Sequence, residues 1–143
     1  MNTDETERAL HTLKLPGMAN CWTSLYETHR LDKLSLRDGM QLMLQSERDT
    51  RENNHIARLV KLAGFRQKAV LEQLEVDTTR GISAASAAEL GTCEYLRHGM
   101  TVVITGPAGT GKSYLAQALG ERACRLGHRT MYYTMKRLAE AIK

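Results

Sequence analysis

The chain has 143 residues, 42% of them hydrophobic and 25% charged, which fits one ordinary globular domain or two small ones and excludes a disordered or fibrous protein. No run of eighteen apolar residues occurs, and the N-terminus MNTDETERAL is acidic where a signal peptide would begin basic and turn apolar, so the expectation is a cytoplasmic protein without a membrane span. The net charge of +4 is uneven: residues 1–64 carry nine Lys/Arg against nine Asp/Glu, and residues 65–143 carry eleven against seven. That excess favours anionic partners, but by itself it does not separate nucleic acid from nucleotide or from a merely solvated surface. Cys21, Cys93 and Cys124 form no C-x-x-C pair and the histidines are scattered, so protein metal ligands are not expected.

In chain order, Ala9, Leu10 and Leu13 recur at helical spacing between Thr3 and Lys14, and Pro16-Gly17 breaks the pattern. Met18, Cys21, Trp22, Leu25 and Tyr26 then share one face of a second helix running to about Leu31, with Trp22 expected in the core. Ser35 followed by Asp38 forms a capping pair, and no proline interrupts the good helix formers from Leu36 to Ala63, the longest predicted helix. Midway along it, Arg48, Arg51, His55 and Arg58 share a face that either follows a phosphate backbone or is solvated among Glu47, Asp49 and Glu52. The solvated reading is the simpler one.

Gly64 ends that helix, and FRQKAVLEQLEVDTTRG reads as a connector with one short helix. Residues Ser83 to Leu96 are alanine-rich and predict a helix that can break at Gly91. MTVVIT, from Met100 to Thr105, is short, apolar and β-branched, as in a strand buried in a parallel sheet. GPAGTGKS follows at once, and Leu115, Ala116, Ala118, Leu119, Ala123 and Leu126 then recur at helical spacing. Arg129 to Thr134 predicts a second strand and Met135 to Lys143 a last helix.

Strand, glycine loop and helix in that order are what a phosphate-binding Walker A loop requires. Gly106, Gly109 and Gly111 free the backbone so that successive N–H groups can face phosphate oxygens, and Thr110 and Tyr114 contribute mainly backbone donors. Lys112 reaches the terminal phosphates as a point charge, and Ser113 offers its hydroxyl to Mg²⁺. The expected cofactors are therefore ATP and Mg²⁺, bound by Gly106, Pro107, Ala108, Gly109, Thr110, Gly111, Lys112, Ser113 and Tyr114. Beyond Lys112 no catalytic residue is identified, since no apolar strand ending in Asp or Asp-Glu follows the loop.

LKLPGMA, RGISAASAAELGTCEYLRHG, VVITGPAGTGKSYLAQALGERACRLGHR and MYYTMKRLAEAI together resemble the IstB family of insertion-sequence helper ATPases. These are relatives of the DnaC-type helicase loaders within the AAA+ group, and the resemblance covers nearly the whole chain. It implies an α/β protein: a helical N-terminal part, residues 1–66, followed by the beginning of a P-loop (AAA+) parallel-sheet domain, residues 67–143, incomplete. It also implies an ATP-controlled homo-oligomer that grips DNA and assists a transposase in choosing and engaging its target. Separately, the basic excess after residue 64, with Arg66, Lys68 and Arg80, predicts DNA binding that is weak and sequence-independent. The chain looks like a truncated member, because the family's Walker B acid, sensors and arginine finger find no counterpart here. The family is ATP-hydrolysing, and this chain lacks the residues for efficient hydrolysis. In such sheets residues 129–134 would lack their usual hydrogen-bonding neighbours. The competing readings are a DnaC-like helicase loader, a small-molecule kinase on the same loop, and a non-catalytic fragment that binds full-length subunits.

Overall fold

The computed structural model describes residues 3–74, 82–109 and 111–143. Helix α1 (Thr3–Thr12) ends two residues before the expected Lys14, which itself turns left-handed with φ 62°. The amides of Lys14 and Leu15 reach back to the carbonyls of His11 and Leu10 and close the turn. Pro16 then occupies the first position of α2 (Pro16–Glu27), where its missing N–H costs nothing and its fixed φ suits a helix. Pro16-Gly17 is therefore both the end of one helix and the beginning of the next. Helices α1 and α2 pack against each other.

Helix α2 stops at Glu27 rather than near Leu31, because His29 adopts φ 58° and the amide of Arg30 bonds back to the Leu25 carbonyl at 2.8 Å, a left-handed helix stop. Trp22 is half-buried and with Leu25, Leu34, Met40 and Met43 lines a small cavity of about 130 Å³. Its indole N–H is buried without a partner among the described residues.

Helix α3 (Leu36–Ala63) starts at the capping pair read from the sequence: Ser35 Oγ accepts from the Asp38 amide at 3.1 Å. The chain divides into two compact units, Met1–His55 and Ile56–Lys143, so the division falls inside α3. In the first unit, Gly17 of α2 lies directly against α3. Its N–H donates to Glu47 Oε1 at 3.1 Å, and Glu47, only 6% exposed, has its other oxygen 3.5 Å from Arg51 Nε. Arg51 thus belongs to an ion pair, while Arg48, His55 and Arg58 are exposed.

In the second unit a short connector carries a 3₁₀ turn (Leu71–Gln73). Helices α4 (Ala84–Gly91) and α5 (Glu94–Arg97) follow, and the predicted break at Gly91 is present, with Cys93 left-handed at φ 57° before α5. Ser83 caps α4 by accepting from the Ser86 amide. The long helix after the glycine loop is α6 (Lys112–Arg125), and α7 (Met135–Ala141) is capped by Thr134. The core joins Leu59 and Ala63 of α3 to Cys124 of α6, with Val60 and Phe65 packed beside them. Phe65 lies so close to Gly120 that a β-carbon there would sit 2.7 Å from its ring, and it also pairs with Tyr132, at 6.1 Å between ring centroids.

The expected α/β fold, with the beginning of a P-loop (AAA+) parallel sheet, is not what the structure has. Among the described residues there are helices and turns and no strand. Residues 100–105 and 129–134 both lack a ladder, and several of their apolar side chains are exposed, Val103 at 77% and Met131 at 58%, while Val102, Ile104 and Tyr132 are half-buried. β-branched composition makes a segment suitable for a sheet, but a strand exists only through hydrogen bonds to a neighbour. The Tyr132 amide donates instead to the Ala63 carbonyl at the end of α3, at 2.8 Å, and a helix end cannot continue a ladder.

Candidate phosphate-binding site

The loop before α6 is shaped by its glycines. Gly109 and Gly111 take φ of 79° and 85°, a region that a side chain makes costly. A β-carbon at either would meet no atom within 4 Å, so the backbone angle rather than space selects glycine. Gly111 is the residue before the helix, and no side chain caps α6 there. The first-turn amides of a helix have no intrahelical acceptor, and together with the helix dipole they favour an anion. Gly106, Pro107, Ala108 and Ser113 are exposed, and Lys112 is half-buried. Thr110 lies outside the described residues.

Lys112 Nζ donates to the carbonyl of Gly106, so the ammonium spans the loop from the first residue of α6 to its opposite side. Ser113 follows it in the first turn of α6. The donor set is therefore a positive side chain, uncapped amides and a hydroxyl on one short segment, which fits a polyphosphate with a divalent cation.

Tyr114, expected to contribute mainly its amide, has a second role in its side chain. Its hydroxyl accepts from the Val70 amide at 3.3 Å and donates to the Val70 carbonyl at 3.2 Å. One helical turn on, Gln117 is 3% exposed; its Oε1 accepts from the amides of Arg66 and Gln67 at 2.8 and 3.2 Å. Its Nε2 donates to the Ser113 carbonyl at 3.3 Å. Farther along α6, Arg122 and Arg125 each approach Glu72 Oε1 at 3.3 Å, and Arg122 Nε also donates to the Gly91 carbonyl.

Gln117 was not legible as a site residue, because a polar side chain between Leu115 and Ala118 reads as part of the solvated face. Glu121 is bound to Arg125 on its own helix. Burial pushes the Cys93 thiol above its usual range, against the opposing pull of a hydrogen bond with Tyr95 and the charge of Arg122, so it is a packing group and not a thiolate nucleophile. Among the described residues no three His, Cys, Asp or Glu side chains gather into a metal cluster. No helix among them is long and apolar enough to cross a membrane.

The glycine loop opens directly into a helix that no side chain caps and that begins Lys-Ser, an arrangement whose first-turn amides and dipole favour an anion. The family described as IstB-like ATP binding protein matches residues 8–143, and the chain belongs to that family. It is 32% identical over its full length to a Pseudomonas fluorescens protein whose name assigns it to insertion sequence IS1162 and to ATP binding, covering 62% of that relative. A similarly named insertion-sequence protein of Sinorhizobium fredii, y4pL, is 32% identical over 90% of the chain and 53% of its own length. The corresponding protein of insertion sequence IS21 from Pseudomonas aeruginosa is 30% identical over 94% of the chain and 51% of its own length. The chain thus spans between about half and 62% of the length of these relatives.

Proposed function

We propose that this chain binds ATP with Mg²⁺ through Gly106 to Ser113 and serves the transposase of an insertion sequence in engaging target DNA. The observation that carries the reading is Lys112 at the head of an uncapped helix, bridged across the loop to Gly106, in a member of the IstB-like ATP binding family. In this reading Lys112 holds the β- and γ-phosphates, the amides of residues 109–114 line the phosphate chain, and the Ser113 hydroxyl takes a place on the cation. Hydrolysis needs in addition an acid for the metal, an oriented water and an arginine, and the acid in the middle of α6, Glu121, is already engaged by Arg125.

The insertion-sequence names of the relatives favour a transposase over a replicative helicase as the partner. With ATP present, the chain should co-precipitate an insertion-sequence transposase and not a replicative helicase. Capture of the helicase instead would replace this reading with the loader alternative. Homo-oligomerisation belongs to the same proposal.

DNA is the proposed second partner. Lys61, Arg66 and Lys68, with Phe65, line a concavity of about 410 Å³ in the second unit, while Arg80 lies outside the described residues. The expectation is weak, sequence-independent binding whose affinity falls steadily as salt is raised, because each phosphate contact releases a counterion. Fluorescence anisotropy with an unrelated duplex across a salt series measures it. No binding at low salt, or binding indifferent to salt, removes DNA from the proposal.

A further inference from the structure

We propose that Gln117 and Tyr114 act as a latch through which nucleotide on the loop controls the connector at residues 66–70; this rests on the reading that the loop binds ATP. Once α3 ends, the amides of Arg66 and Gln67 have no helical acceptor, and both use Gln117 Oε1, at 2.8 and 3.2 Å. The other end of the same amide donates to the Ser113 carbonyl at 3.3 Å. A carboxamide is planar, so its two ends move together. Any ligand that fixes the first turn of α6 at Ser113 therefore fixes the acceptor offered to Arg66 and Gln67.

Tyr114 repeats the connection one turn earlier in α6 and farther along the connector. Its hydroxyl holds both the amide and the carbonyl of Val70, and its own amide belongs to the first turn that would face phosphate. Gln117 is buried, so water does not readily substitute for the bonds it makes. The connector leaves α3 at Gly64 and is tied to the nucleotide-proximal end of α6 by the side chains of Tyr114 and Gln117. Nucleotide binding is thus transmitted to the segment leaving α3 without a moving lid.

Coupling between two sites is reciprocal in free energy and typically amounts to about 5- to 150-fold. Residue-resolved hydrogen exchange is the test, with the amide of Ala19 in the first unit as reference. Saturating MgATP is expected to slow exchange at the Arg66, Gln67 and Val70 amides by about fivefold or more, without a matching change at Ala19. Gln117→Ala should abolish the ATP response at Arg66 and Gln67 and weaken ATP binding by the factor that the response measured. Gln117→Glu keeps an acceptor for the two amides but no donor for Ser113, so their protection should persist and cease to depend on ATP. Tyr114→Phe should remove the response at Val70 alone. A merely structural role predicts equal loss of protection with and without nucleotide in every variant. ATP that binds with no change at these amides overturns the latch and leaves the ATP site standing; failure of the unaltered chain to bind ATP overturns both.

Discussion

Replacing Lys112 with alanine should weaken ATP binding by about tenfold to a hundredfold while leaving the helical fold unchanged. The lysine heads α6, which no side chain caps, and donates to the Gly106 carbonyl across the loop, so its charge is held on the loop itself. A hydrogen bond to a charged group contributes about 1.5–3 kcal/mol, and each 1.4 kcal/mol is about tenfold in affinity. The core is built from Leu59, Ala63 and Cys124 with Val60 and Phe65, so loss of the half-buried lysine side chain should not carry a folding penalty. Calorimetry on both forms, with helix content followed by circular dichroism, separates the two effects. Equal affinity for ATP would sink the assignment of residues 106–113, and weaker affinity accompanied by lost helicity would mean that Lys112 is structural.

The helices were legible because each announces itself locally. Ser35 can cap α3 whatever else is present, and the proline-free stretch from Leu36 to Ala63 forms one helix from end to end. The glycine loop was legible for the same reason, since the left-handed angles at Gly109 and Gly111 are properties of those residues. What failed was non-local. MTVVIT and RTMYYT carry the composition of strands, but a strand needs a neighbour to receive its hydrogen bonds, and the pattern of one segment holds no information about that neighbour. Gln117 was missed for a related reason: its meaning depends on amides fifty residues earlier in the chain. The end of α2 at Glu27 depended on His29 adopting a left-handed angle, which no periodicity reveals.

Gly17→Ala should destabilise the first unit by about 1–3 kcal/mol, the cost of overpacking a close contact. Because Gly17 lies inside α2, helix propensity alone would favour alanine there by roughly 0.5–1 kcal/mol. Contact with α3 reverses the sign. A β-carbon on Gly17 would lie 2.5 Å from the Ser46 carbonyl oxygen and 2.7 Å from both Glu47 Cα and Thr50 Oγ1. Two of those atoms are backbone and cannot be relieved by a rotamer, so α2 has to move away from α3. That movement stretches the Gly17 N–H bond to Glu47 Oε1, and a buried carboxylate that loses a donor adds to the cost. Urea unfolding followed by Trp22 fluorescence, a probe within the same unit, measures the change. Glu47→Gln keeps an acceptor for Gly17 and should cost less than Gly17→Ala. If Gly17→Ala proves as stable as the unaltered chain, the helices are not in contact at this point, and Glu47 must be held by Arg51 alone.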